Sequence, residues 1–220
     1  MGDTGKPRAL GLVGDFYHPY AGLVDLFLRA APGFEWSFCQ DPRRLDWDRL
    51  DEYAFFVLST ENRIEPEVSQ AVWMDESLAR RFVAYVEAGG GLLAYHSGLA
   101  SYPPDGAYYR LVGGGFQFHP KAHPEFLIAP EGPAHPITAG VPAFSIVDEQ
   151  YFVEREIAST IPLASSSSPR FGSSCAAWCA ERGKGRVACV TPGHRPENLA
   201  RPELALLLGN AASWCARSSR

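Results

Sequence analysis

Apolar residues along this chain fall into two spacings. Arg8 leads into Ala-Leu-Gly-Leu-Val13, and Tyr53-Ala-Phe-Phe-Val-Leu58 is likewise unbroken by polar positions. Runs of this kind predict strands covered on both faces, as in a parallel sheet. Phe34 to Phe38 predicts another strand. The second spacing is helical. Leu23, Leu26, Phe27 and Ala30 share one face of a helix opened by Pro19 and ended by Pro32-Gly33. Leu78, Phe82, Tyr85 and Val86 form the apolar stripe of a helix over Glu76 to Ala88. Asp41 to Leu50 reads as a polar connection with a short helical turn, and Ser59 to Met74 as a long loop.

The stretch Gly89-Gly-Gly-Leu-Leu-Ala-Tyr-His-Ser-Gly98 organises the rest. Three glycines stop the helix, because glycine reaches left-handed conformations at little cost. Leu92 to Tyr95 is then a short buried strand, and Ser97-Gly98 marks a sharp exit that carries His96. Strands alternating with helices over the first 98 residues predict an α/β doubly wound, mainly parallel sheet with helices on both faces.

The second half is less regular. Ala107 to Val112 predicts a short helix, and Phe116 to Pro120 and Glu125 to Ile128 short strands or extended loop. Phe144 to Tyr151 reads as extended. Ile161 to Ser165, Ala176 to Ala180 and Arg186 to Thr191 predict strands, the last two joined by the hairpin Glu181-Arg-Gly-Lys-Gly185. Ser165 to Ser168 with Pro169 reads as a flexible loop, and Pro202 to Cys215 as a closing helix.

Candidate chemistry enters with the histidines. His18, His96 and His194 follow predicted strands, and His119 stands in a polar loop. In a parallel sheet the strands' carboxyl ends share the ligand crevice. His96 takes the elbow position where related turns present a Ser or Cys nucleophile. Converging imidazoles suit metal ligation, zinc being an example, or acid–base work. Asp148 and Glu149 supply carboxylates for either role. The alternative is a set of unrelated surface histidines and a solvated Asp-Glu pair.

Composition narrows the partners. The chain has 220 residues, 46% hydrophobic, with a formal charge of -5. That is enough for one sizeable core, and one domain over 1–220 is expected. No basic cluster stands out, so neither nucleic acid nor an anionic membrane is an expected partner. No apolar run approaches the ~20 residues of a bilayer span. Met1 to Arg8 lacks a signal-peptide core, so a cytoplasmic location is expected. The five cysteines are scattered and odd in number, which argues against a disulfide framework. Cys175 and Cys179 read as strand residues ~13 Å apart, too far for one ion.

Several ordered motifs resemble the trehalose-utilisation (ThuA-like) family. They are Tyr85-Val-Glu-Ala-Gly-Gly-Gly-Leu-Leu-Ala-Tyr-His-Ser-Gly98, Val112-Gly-Gly-Gly-Phe-Gln-Phe-His-Pro120, His135-Pro-Ile-Thr-Ala-Gly-Val-Pro142, Asp148-Glu-Gln-Tyr151, and Trp178 to Val187 followed by Gly193-His194. The resemblance implies the class I glutamine amidotransferase-like, flavodoxin-like fold. It carries the family's motif positions onto His96, His119, Asp148, Glu149, Tyr151 and His194. It implies a role in bacterial use of trehalose or related disaccharides through keto-sugars, without fixing a reaction. His96 stands where glutamine amidotransferases need a Cys, so glutaminase activity is not expected.

The expected site therefore has His96, Asp148, Glu149 and His194 as catalytic groups. His18, Tyr17, His119 and Tyr151 are the expected ligand contacts, and His18, His96, His119 and His194 the expected divalent-metal ligands. A small sugar is the expected partner, with a homo-oligomer as a further expectation. The competing function is a non-catalytic binding or accessory protein on an amidotransferase-like scaffold, motivated by the missing Cys. Converging histidines favour the first reading, and dispersed ones the second.

Overall fold

The computed structural model describes residues 5–216. Of the Met1 to Arg8 stretch read for a signal peptide, the first four residues lie outside them. Strands β1 (Arg8–Val13), β2 (Glu35–Cys39), β3 (Phe55–Ser59), β4 (Gly91–Tyr95) and β11 (Gly185–Val190) pair in parallel in the order β2-β1-β3-β4-β11. The sheet continues antiparallel through β10 (Gly172–Arg182), β9 (Ile161–Ser168), β6 (Glu125–Pro130) and β7 (Phe144–Val147). The α/β, flavodoxin-like class with helices on both faces holds, the parallel half being its centre.

Side-chain alternation explains the two layers. Phe55, Val57, Leu93 and Tyr95 point to the face covered by α1 (Tyr20–Ala30) and α5 (Pro202–Cys215). Phe56, Leu58, Leu92 and Ala94 point to the opposite face, under α2 (Glu76–Glu87) and α3 (Ala107–Val112). A strand covered on both sides has no polar face, hence the unbroken apolar runs. The Asp75 carboxylate caps α2 by accepting from the Leu78 backbone N–H.

The structure changes two readings of the second half and adds an element. Phe144 to Tyr151 is not one extended segment. β7 ends at Val147, Asp148 to Gln150 is irregular, and β8 (Phe152–Arg155) pairs with β5 (Gly114–Phe118) in a separate two-stranded sheet. Ser165 to Ser168 is not a flexible loop. It belongs to β9, hydrogen-bonded to β6 on one side and β10 on the other, and that pairing overrides the weak strand preference of four serines. A further short helix, α4 (Pro196–Leu199), precedes α5.

Two features position the chemistry. The topological switch point, where the connections diverge, lies between β1 and β3. Beside it, β4 exits through His96 in the left-handed region, with φ 44°. Among the described residues only His96 and Ser101 are non-glycine residues with positive φ. Gly98 lets the turn pack against β3, since a Cβ there would lie 2.0 Å from the Leu58 carbonyl oxygen. Among the described residues no helix is long and apolar enough to cross a membrane.

Gly98→Ala should cost about 1–3 kcal/mol through this clash, whereas Gly33→Ala, which meets no atom within 4 Å, should stay within about 0.5 kcal/mol. Urea unfolding of both variants checks this, and equal stabilities would contradict it. All five cysteines are free, so alkylation of unreduced, denatured protein should modify all five.

Candidate functional site

Four loops at the carboxyl edge of the sheet meet over β1, β3 and β4. The β1 loop brings Asp15, Tyr17 and His18, the β4 turn brings His96, the segment after β7 brings Asp148, Glu149 and Tyr151, and the β11 loop brings His194. His18, His96, Glu149 and His194 offer ligand atoms that all lie within 4.8 Å of one another. His194 Nδ1 is 3.0 Å from His18 Nε2 and 3.4 Å from Glu149 Oε2, and His96 Nε2 is 3.5 Å from that same oxygen. Ligands ~2.1 Å from one ion in a tetrahedral set stand about 3.4 Å apart. The observed separations therefore suit a shared cation.

Two of these rings have their outward nitrogens fixed from behind. His96 Nδ1 lies 2.6 Å from the Thr191 carbonyl oxygen, which can only accept, so Nδ1 carries the proton and Nε2 presents its lone pair. That Nε2 is buried and has no hydrogen-bond partner. His18 Nδ1 lies 2.6 Å from Asp15 Oδ1, a carboxylate–histidine arrangement of the kind that orients metal ligands. Burial would raise the Asp15 carboxyl, but the His18 ring and the Glu61 N–H hold it below the usual range.

Charge compensation centres on Glu149. Burial works against its ionised form, yet the rings of His96, His194 and His119 outweigh that and bring the carboxyl down to about 2. Its second oxygen, Oε1, is 3.4 Å from His119 Nε2 and 3.7 Å from His123 Nε2. Burial, together with the charges of His96, His18 and His123, lowers His194 to about 4 against the pull of Glu149. A ring so shifted is neutral near pH 7 and free to ligate.

Asp148 behaves differently from its neighbour. Its buried carboxylate accepts from the backbone N–H groups of Glu149, His194 and Arg195 and from Asn198 Nδ2. Burial nevertheless raises its pKa. In the structure Asp148 ties the end of β7 to the His194 loop rather than facing an open pocket.

A cavity of about 290 Å³ opens over these groups, near the lower end of the usual small-ligand range of ~300–1,000 Å³. Tyr17, His18, His119, Glu149, Tyr151 and His194 all line it. His96 lies deeper. It is 1% exposed, so it is not the exposed elbow residue its position suggests, because Tyr151 stacks on its ring at 4.2 Å between centroids. His119 stands outside the four-residue cluster, and Glu149 occupies the place that the sequence reading gave to it as a metal ligand. Three residues were missed. His123 stands in the loop between β5 and β6, four residues after His119, away from the strand's end, so position along the sheet did not mark it. Asp15 and Glu61 lie in strand-end loops whose polar character was visible, but their contacts depend on the folded chain. Tyr95, Tyr102 and Tyr108, close to the β4 turn in sequence, are buried in the core.

A family model described as ThuA, trehalose utilisation, matches residues 8–215. No curated protein matches the chain. Among solved structures, ThuA-like proteins from Bacteroides uniformis and Parabacteroides merdae superpose with TM-scores of 0.73 at 19% and 17% identity. Each alignment covers 98% of this chain, with 94% and 92% of the other. A β-galactosidase from Rahnella sp. R3 also matches, at 13% identity and a TM-score of 0.64, over 95% of this chain but only 31% of the enzyme. These likenesses concern the fold.

Asp148→Ala should destabilise the protein by about 1–3 kcal/mol, since it orphans buried donors, and should speed amide exchange at His194 and Arg195. Unchanged exchange there would contradict the anchoring role.

Proposed function

Because the chain belongs to the ThuA, trehalose utilisation, family, we propose that it binds a small neutral sugar at the histidine-lined pocket and transforms it with the help of a divalent metal ion. The observation that carries this reading is the convergence of three imidazole nitrogens and one carboxylate oxygen within 4.8 Å, under a ring-sized cavity. His18 Nε2, His96 Nε2, His194 Nδ1 and Glu149 Oε2 would hold the ion. Imidazole donors suit zinc and other first-row transition metals. When bound, such an ion polarises a hydroxyl or carbonyl oxygen of the substrate.

The protein's own groups do the rest. Asp15 and the Thr191 carbonyl fix the His18 and His96 tautomers. Tyr151 stays a neutral phenol, since burial and the surrounding carboxylates push its pKa well up, and it covers the His96 ring. His119 and His123 stand beside Glu149 Oε1, and His119, which lines the pocket, can pass a proton to or from a ligand. Tyr17, 44% exposed at the mouth, offers an apolar face to a sugar ring.

This reading has no glutaminase step. Among the described residues no cysteine lines the pocket, and burial raises the thiols of Cys175 and Cys179 to about 11 and about 12. The convergence of the histidines favours this reading over a non-catalytic accessory protein.

Elemental analysis of protein reconstituted with zinc should find about one metal per chain. His96→Ala and Glu149→Gln should lose it, whereas His119→Ala should retain it. Asp15→Asn should weaken zinc affinity about 10–100-fold by freeing the His18 ring. Because His96 is buried, His96→Ala should also lower the melting temperature, contrary to the small effect expected of an exposed residue. No zinc uptake by the wild-type protein would overturn the metal reading.

A further inference from the structure

One buried carboxylate in this pocket is outside the proposed metal cluster. Glu61 follows β3, on the opposite side of the switch point from the β1 loop, and is 5% exposed. Its two oxygens are in different states. Oε2 accepts from Arg63 Nη2 at 3.1 Å and from Ser101 Oγ at 3.2 Å. Arg63 Nε in turn donates to Ser101 Oγ at 3.1 Å, closing a three-residue ring of contacts. Oε1 is buried and has no hydrogen-bond partner in the protein. Buried polar atoms are nearly always paired, and a carboxylate oxygen is among the costliest to leave bare.

The backbone around Glu61 is fastened in place. Its N–H donates to Asp15 Oδ2 at 2.9 Å, and its carbonyl accepts from Trp73 Nε1 at 3.0 Å. Asp15 therefore holds both the His18 ring and the Glu61 backbone. Ser101, which braces the carboxylate, is one of the two left-handed non-glycine residues among those described, the other being His96. Such conformations are strained and persist where surrounding contacts enforce them.

Location gives the free oxygen a use. Glu61 and Arg63 line the 290 Å³ pocket, and both also line an adjoining groove of about 770 Å³. The pair stands where the two spaces meet. The groove's wall includes Phe16, Tyr53 and Trp73, aromatic surfaces on which a second ring can lie.

We infer that Glu61 is the specificity-determining hydroxyl acceptor of the site, with Arg63 and Ser101 as its positioning residues, and that it selects a neutral polyol extending from the pocket into the groove. Oε1 accepts a hydrogen bond from a ligand hydroxyl at the junction. Oε2 stays engaged by Arg63 and Ser101, so the acceptor is held before the ligand arrives. Arg63 offsets the Glu61 charge, so Oε1 discriminates through its need for a donor, and a ligand that sets an anionic oxygen there, as a sugar acid or sugar phosphate can, leaves two acceptors face to face. The inference rests on the sugar reading above but uses residues that do not hold the metal.

The test is calorimetric titration of zinc-loaded protein with trehalose, glucose and glucose 6-phosphate, with zinc content measured in every variant. In the wild-type protein trehalose should bind more tightly than glucose, and glucose 6-phosphate least. Glu61→Ala should weaken trehalose binding about 10–100-fold, the effect of losing a hydrogen bond to a charged acceptor, with zinc content unchanged. Glu61→Gln keeps the shape, guards against a folding defect, and should relax the discrimination against glucose 6-phosphate. Arg63→Met should weaken trehalose less than Glu61→Ala does. If the wild-type protein binds trehalose and Glu61→Ala binds it equally well, this inference is wrong and the sugar reading stands. If Glu61→Ala loses zinc, Glu61 serves the metal rather than the sugar, and the inference is again wrong. If the wild-type protein binds none of the three probes, the sugar reading falls and takes this inference with it.

Discussion

Glu149 sets a carboxylate beneath the protein surface, and the groups around it must offset the loss of water around that charge. Four histidine rings stand around it, two near each oxygen: His96 and His194 at Oε2, His119 and His123 at Oε1. Those rings arrive from three separate loops, so the arrangement requires the β4 turn, the β11 loop and the segment after β5 to be in place together. Asp148, the next residue, fastens one of those loops through its backbone N–H groups. Adjacent carboxylates thus divide the work. One braces the scaffold and the other faces the pocket.

Strain is concentrated at the same place. His96 and Ser101 hold left-handed backbones five residues apart, around a glycine that permits close contact with β3. The turn has the geometry of a nucleophile elbow but presents an imidazole with its lone pair aimed at a carboxylate. An imidazole at such a point offers ligation and proton exchange, whereas a thiol would offer acyl transfer. The scaffold itself recurs among proteins of different kinds. ThuA-like proteins share it over nearly their whole length, and a β-galactosidase carries it as under a third of its chain. Fold is common to these proteins, while function resides in the side chains at the strand ends.

Site and groove adjoin because the sheet order reverses between β1 and β3. The loops there diverge and leave a crevice, into which His18 and Asp15 project from one side and Glu61 from the other. One topological fact places the groove and the pocket side by side.

Local sequence determined the parallel half almost element by element. Unbroken apolar runs of strand length fit strands covered twice, the stripe of Leu78, Phe82, Tyr85 and Val86 fits a helix with one buried face, and Gly89 to Gly91 suit a helix end. Those patterns also put His18, His96 and His194 at strand ends. Tertiary structure alone decided the remainder. The serines of β9 became a strand because two neighbours supply hydrogen bonds that a local pattern does not contain. His96 became buried because Tyr151, 55 positions away, stacks on it. Glu149 displaced His119 from the cluster, and Asp15, Glu61 and His123 entered the site, through contacts between loops distant in sequence. A histidine's place along a strand follows from periodicity, but the partner of each ring nitrogen depends on distances that only the folded chain sets.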